Sequence, residues 1–81
     1  MDFGRALEEL KRGGRVARVG WNGKGMWLAL IYAEQWVAPS GRPYAGTHCL
    51  PWIAMKTADD GLVPWLASQT DVLAEDWLVV A

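Results

Sequence analysis

The sequence predicts an α+β fold: an antiparallel β-sheet with an N-terminal helix and a short second helix, assembled as a homo-oligomer. Three observations lead there. Apolar residues recur at helical spacing near the start, in "FGRALEEL". After Gly14 the chain changes to short β-branched or aromatic runs separated by Gly, Pro and Asp, the pattern of strands and turns. Finally, 52% of the 81 residues are hydrophobic and six are Trp, more apolar surface than one small domain easily hides. Burial between subunits is therefore expected.

Each element has a local cause. Phe3, Ala6, Leu7 and Leu10 form one apolar stripe, Asp2 is placed to cap it, and Gly13-Gly14 ends it by tolerating positive φ. Glu8 lies one turn before Lys11 and Arg12, so exposed ion pairs are expected there. "RVARV" is the first strand, and "WLALIYA", apolar on both faces, is a second one covered on both sides, its second cover being either the helix or another subunit. Residues 34–50, with two prolines and two glycines and no period, read as a variable loop within a single domain spanning residues 1–81. "WIAMKT" is the next strand and "ADDG" a turn. "LVPWL" is a short strand that Pro64 confines to an edge or an end. Ser68 and Asp71 have capping-box spacing for a helix from about Thr70 to Ala74, and "DWLVV" closes as a strand.

Composition excludes several function classes. The net charge of −1 with interspersed signs carries no footprint for polymeric nucleic acid or for an anionic membrane. A small anionic ligand, needing only a few donors, stays compatible with it. Cys49 is the single cysteine, so no internal disulfide is expected, and no Cys/His framework exists for a metal. The longest apolar run, "MWLALIYA", is far below the ~18 residues of a membrane span. A cytoplasmic protein is expected, without cofactor.

Two stretches stand out as candidate sites. "VGWNGKGMW" satisfies neither phosphate-loop pattern, because Lys24 precedes Gly25 and no hydroxyl residue follows it, and because a strand rather than a helix comes next. The residues alone favour a hairpin turned at Asn22-Gly23. That leaves Trp21 beside exposed amides and Lys24, an arrangement suited to stacking a base near a phosphate. "SQTD", Ser68 to Asp71, reads first as a helix cap, yet a helix start also favours anions. Asp59 and Asp60 read as solvated turn residues, and His48-Cys49 as loop residues without an orienting third group. Trp65 and Trp77, set among Leu and Val, are expected in the core.

The helix ending in Gly-Gly, "RVARVGWNGKGMWL" and "MKTADDGLVPWLASQTDVLAEDWLVV" closely resemble the Thoeris anti-defence family of the second type. The resemblance covers most of the chain outside residues 34–50. It implies a small phage or prophage protein that acts in the bacterial host cytoplasm without catalysis. Such a protein sequesters intact nucleotide immune signals, glycocyclic ADP-ribose and cyclic oligonucleotides, against Thoeris and CBASS defence. It also implies homotetramers with pockets between subunits.

Residue by residue, the family's GWNG segment maps onto Gly20, Trp21, Asn22 and Gly23, and its SQTD segment onto Ser68, Gln69, Thr70 and Asp71. The resemblance assigns stacking to Trp21 and a polar contact to Asn22. It assigns hydrogen-bond donation to Ser68, Gln69 and Thr70, and acceptance from a ribose hydroxyl to Asp71. Met26, Met55 and Thr57 are further choices for lining the pocket. Two other classes compete: a phage structural or protein-interaction module using the tryptophan-rich surface, and an enzyme degrading such a signal with Asp59, Asp60 or His48 as acid and base.

Overall fold

The computed structural model describes residues 1–21, 24–32, 47–48 and 50–80. Helix α1 spans Phe3–Lys11, with the Asp2 carboxylate accepting from the Arg5 backbone N–H at 2.9 Å and Gly13 at φ +90° just beyond its end. Both termination signals expected from the sequence are therefore used. The helix ion pair is Arg12–Glu9 at 2.9 Å, one position along from the Glu8 pairs expected.

Strands β1 (Arg15–Arg18), β2 (Trp27–Ile31), β3 (Trp52–Lys56), β4 (Leu62–Pro64) and β5 (Trp77–Val80) form one antiparallel sheet in the order β4-β3-β2-β1-β5. The first four make a meander. Helix α2, Gln69–Leu73, then lets the chain return so that β5 pairs with β1 along Arg15↔Val80 to Arg18↔Trp77. Pro64 sits on the edge strand β4, where its missing N–H costs no ladder bond.

Alternation assigns the faces. Val16, Leu28 and Trp77 point to the side that α1 covers and, with Ala6 and Leu10, form the buried core. Around it pack Met1, Phe3, Leu7, Trp21, Leu30, Ile53, Met55 and Trp65. Trp77 is 2% exposed and holds three aromatic neighbours at ring-centroid distances of 5.4 to 6.0 Å: Phe3, Trp21 and Trp65. Trp77 is thus the core residue expected, whereas Trp65 is only half-buried.

The opposite face carries Arg15 stacked over Trp27 at 4.5 Å, with Ala17, Ala29, Leu78 and Val80 in register around them. Neither described helix lies over that face.

One local expectation needs correction. β1 stops at Arg18, one residue before the expected Val19, because residues Val19–Trp21 form a single 3-10 turn, although the Val19 N–H still donates to the Asp76 carbonyl at 3.1 Å in register with the β1–β5 ladder. β2 begins at Trp27, as expected, and pairs antiparallel with β1; Asn22 and Gly23, where the hairpin was expected to turn, lie outside the described residues. The "ADDG" turn forms as expected, with the positive φ on Asp60, at 68°. Gly61 is needed for space, since a Cβ there would stand 2.9 Å from Thr57 Oγ1. The expected variable loop, residues 34–50, falls almost wholly outside the described residues.

Candidate functional site

An open cleft of ≈ 370 Å³ lies where β1 passes into β2, within the size range of small-molecule sites. Its walls are Trp21, Lys24, Gly25, Met26 and Trp27 from the connection and start of β2, Ala17, Arg18 and Val19 from β1 and the turn, and Leu78 and Val80 from β5. Trp21 contributes one surface to this cleft while its ring packs edge-on against Trp77, at 5.4 Å and 80°. The far end of the connection is anchored by Lys56, whose Nζ donates to the Gly25 carbonyl at 3.0 Å and pairs with Asp60 at 2.8 Å.

The SQTD segment builds a complete cap. Ser68 Oγ accepts from the Asp71 N–H at 3.1 Å, and Asp71 Oδ2 accepts from the Ser68 N–H at 3.2 Å and from Ser68 Oγ–H at 2.8 Å. The Thr70 hydroxyl lies 2.8 Å from Ser68 Oγ. With Asp replacing the usual Glu, the box still closes, because the shorter carboxylate reaches back over a single turn. Ser68 and Gln69 line a second, shallower hollow of ≈ 300 Å³ along α2 with Ala67, Val72 and Leu73.

The site residues anticipated from the sequence therefore separate. Trp21 and Met26 share the first cleft, Ser68 and Gln69 the second, and Asn22 and Gly23 lie outside the described residues. Met55 faces the core under α1, and the Thr57 hydroxyl is committed to its own turn, donating to Asp59 and accepting from the Gly61 N–H at 2.8 Å.

What joins the two segments is Arg18, which the sequence reading did not single out. Its Nη1 donates to Asp71 Oδ1 at 2.9 Å and its Nε to Asp76 Oδ1 at 2.8 Å. Asp76 Oδ2 accepts from the Gly20 N–H at 3.0 Å, and the Trp77 indole N–H donates to the Asp71 carbonyl at 2.9 Å. Arg18 is more than fifty residues away in sequence from both carboxylates, so no local spacing announces the cluster. The one sequence signal is an arginine on the apolar face of a strand, a placement that requires a partner.

Electrostatics follow from that geometry. The Asp76 hydrogen bond, then that of Asp71, raises the Arg18 pKa further above its ordinary value. Arg18, and then the Gly20 N–H, hold the Asp76 carboxyl below the usual carboxylate value. Partial burial pushes Asp71 upward, but hydrogen bonds from Arg18 and Ser68 together outweigh it and its pKa also falls.

Carboxyls depressed in the folded state stabilise it fully above their unfolded values and lose that contribution as pH falls through the folded ones. Stability is accordingly expected to decline with acid below about 3.8, the ordinary aspartate value. Urea denaturation at a series of pH values checks this, with Asp76→Asn flattening the acid limb; an unchanged limb in that variant would remove the cluster as its cause.

Among the described residues no group of His, Cys, Asp or Glu is arranged to hold a metal ion, and no helix is long and apolar enough to cross a membrane. Residues 1–80 match the model of the Thoeris anti-defense 2-like domain. The chain is also 45% identical over 85 aligned positions to "Thoeris anti-defense 2" of Bacillus phage SP01, an alignment covering 100% of this chain and 96% of that protein. On both counts, the chain belongs to the Thoeris anti-defense 2-like family.

Proposed function

We propose that the protein is a non-enzymatic sponge. It binds a nucleotide immune signal, glycocyclic ADP-ribose or a cyclic oligonucleotide, and keeps it from its effector, blocking Thoeris and CBASS defence. Membership of an anti-defense family supports the anti-defence role. The observation that carries the binding reading is the cleft itself: a ≈ 370 Å³ space in which Trp21 and Trp27 offer aromatic surface beside the Lys24 cation. Stacking on a base with a neighbouring positive charge suits a nucleotide.

The carboxylates nearest the cleft favour holding over turnover. Asp71 and Asp76 are kept ionised by Arg18, whereas a general acid or base needs a pKa near the working pH. In this proposal Trp21 stacks, Asn22 and Gly23 contact the polar groups of the ligand, and Met26 lines the apolar wall. At the start of α2 the Gln69 amide presents the donor, while Ser68, Thr70 and Asp71, bonded to one another, fix the cap that carries it.

A homotetramer belongs to the same proposal. Leu66 is 91% and Leu73 77% exposed within one chain, and apolar surface of that kind is the sort subunits bury. Such an assembly would bring the hollow along α2 against a neighbouring subunit and complete the pocket.

A sponge must bind well below the signalling concentration. Nanomolar affinity, about −12 kcal/mol, is the scale required. The test incubates the protein with glycocyclic ADP-ribose and with cyclic di- and trinucleotides, removes free ligand, denatures the protein by heat and analyses the supernatant. Release of unaltered nucleotide is expected. Release of altered nucleotide would point to an enzyme, and absence of nucleotide together with a co-purifying protein would favour the interaction module.

A further inference from the structure

We propose that Asp76 is a positioning residue for the cleft: with Arg18 it clamps the Val19–Trp21 turn to the start of β5 and so sets where the Trp21 ring lies. The first glycine of the GWNG segment serves this clamp and not a ligand phosphate. For its ligand the proposal rests on the sponge reading; for the clamp it rests on geometry.

Asp76 holds the turn at two consecutive amides. Its carbonyl takes the Val19 N–H at 3.1 Å and its Oδ2 the Gly20 N–H at 3.0 Å. Its other carboxylate oxygen takes Arg18 Nε at 2.8 Å, and Arg18 is itself fixed on Asp71 at 2.9 Å. The Gly20 amide is therefore already engaged within the chain and is not free for a phosphate.

The close approach also explains the residue type. A Cβ on Gly20 would stand 3.3 Å from Asp76 Oδ2, so the carboxylate would have to shift by a few tenths of an ångström from the place where it holds the Gly20 N–H. One residue later comes Trp21, and the residue after Asp76 is Trp77, whose ring meets Trp21 edge-on at 5.4 Å. The clamp and the ring contact thus couple the same two neighbouring pairs of residues, one through the backbone and one through the side chains. A side chain that walls a cleft binds well only when the groups behind it hold it in place.

The experiment compares wild type, Asp76→Ala, Asp76→Asn, Gly20→Ala and Trp21→Phe by near-UV circular dichroism without ligand, and by equilibrium binding of glycocyclic ADP-ribose. Trp21→Phe defines the spectral contribution of the Trp21–Trp77 pair. Asp76→Ala and Gly20→Ala are expected to lose that contribution with far-UV spectra unchanged, and to weaken binding by roughly tenfold or more, towards the loss of the stacked ring itself. Asp76→Asn keeps the size but only one acceptor oxygen, and should fall between. Glu9→Ala, which breaks the surface pair with Arg12, should change neither readout.

Retention of the Trp pair signal in Asp76→Ala, or its loss with affinity unchanged, overturns the proposal. If Asp76→Ala does not fold, Gly20→Ala and Asp76→Asn decide the question by the same two readouts. Should the wild type bind none of the nucleotides, the sponge reading fails and the clamp is still judged by the spectra.

Discussion

Trp77→Ala is expected to lower folding stability by ~3–5 kcal/mol, the usual range for removing a fully buried large aromatic side chain. Trp77 lies at the centre of the core, 2% exposed, against Phe3, Trp21 and Trp65, and its indole N–H supplies the Asp71 carbonyl with a hydrogen bond. A domain of this size has a total stability of order 5–15 kcal/mol. The loss should therefore remove a large share of it and lower Tm by roughly 15 °C or more. Urea titration followed by far-UV circular dichroism, at fixed protein concentration because association adds to stability, measures it. Trp77→Phe separates the two contributions: ring packing is largely kept, and the lost hydrogen bond should account for about 1 kcal/mol. A Trp77→Ala protein within that same margin of wild type would mean that the core is not organised around this ring.

The second large effect concerns ligand. Trp21→Ala is expected to weaken nucleotide binding by ~10- to 100-fold, the scale of removing one stacked base–aromatic contact of about 1–3 kcal/mol. Because Trp21 also packs on Trp77, some stability goes with it. Trp21→Phe keeps a ring at the same place and should retain most of the affinity, which distinguishes stacking from general support of the fold. Titration calorimetry with glycocyclic ADP-ribose and with a cyclic dinucleotide, on protein shown to be folded by its melting curve, reads both variants. Affinity unchanged in Trp21→Ala would move the ligand to another part of the molecule, with the hollow along α2 as the next place to probe.

Local chemistry made much of the fold legible. The 3.6-residue stripe from Phe3 to Leu10 and the Asp2 cap specify α1 without reference to anything distant. Ser68 and Asp71 likewise announce α2 through a three-residue relation that needs no tertiary partner. Pro64 was confined to an edge or an end, and it is the last residue of the edge strand β4.

The candidate site was less legible. Trp21 could be recognised as an aromatic ring beside a turn, but not as one packed edge-on against a ring from the last strand. Arg18 looked like one more charge on a strand until β5 returned beside β1 and delivered Asp76, with Asp71 just before it on α2. Gly20 was legible as a glycine in a motif; that its hydrogen-only side chain admits the Asp76 carboxylate follows only from the packing.

By itself, then, the sequence determined which stretches form helices and strands, the family resemblance, and the excess of apolar surface. Periodicity, capping and turn chemistry act over a few residues and are written in consecutive positions. The tertiary structure alone decided that the GWNG and SQTD segments meet through Arg18 and that one oxygen of Asp76 holds the backbone behind Trp21. Those contacts depend on the return of β5 to pair with β1, a long-range choice driven by burying Trp77 under α1, and no short stretch of the chain encodes it.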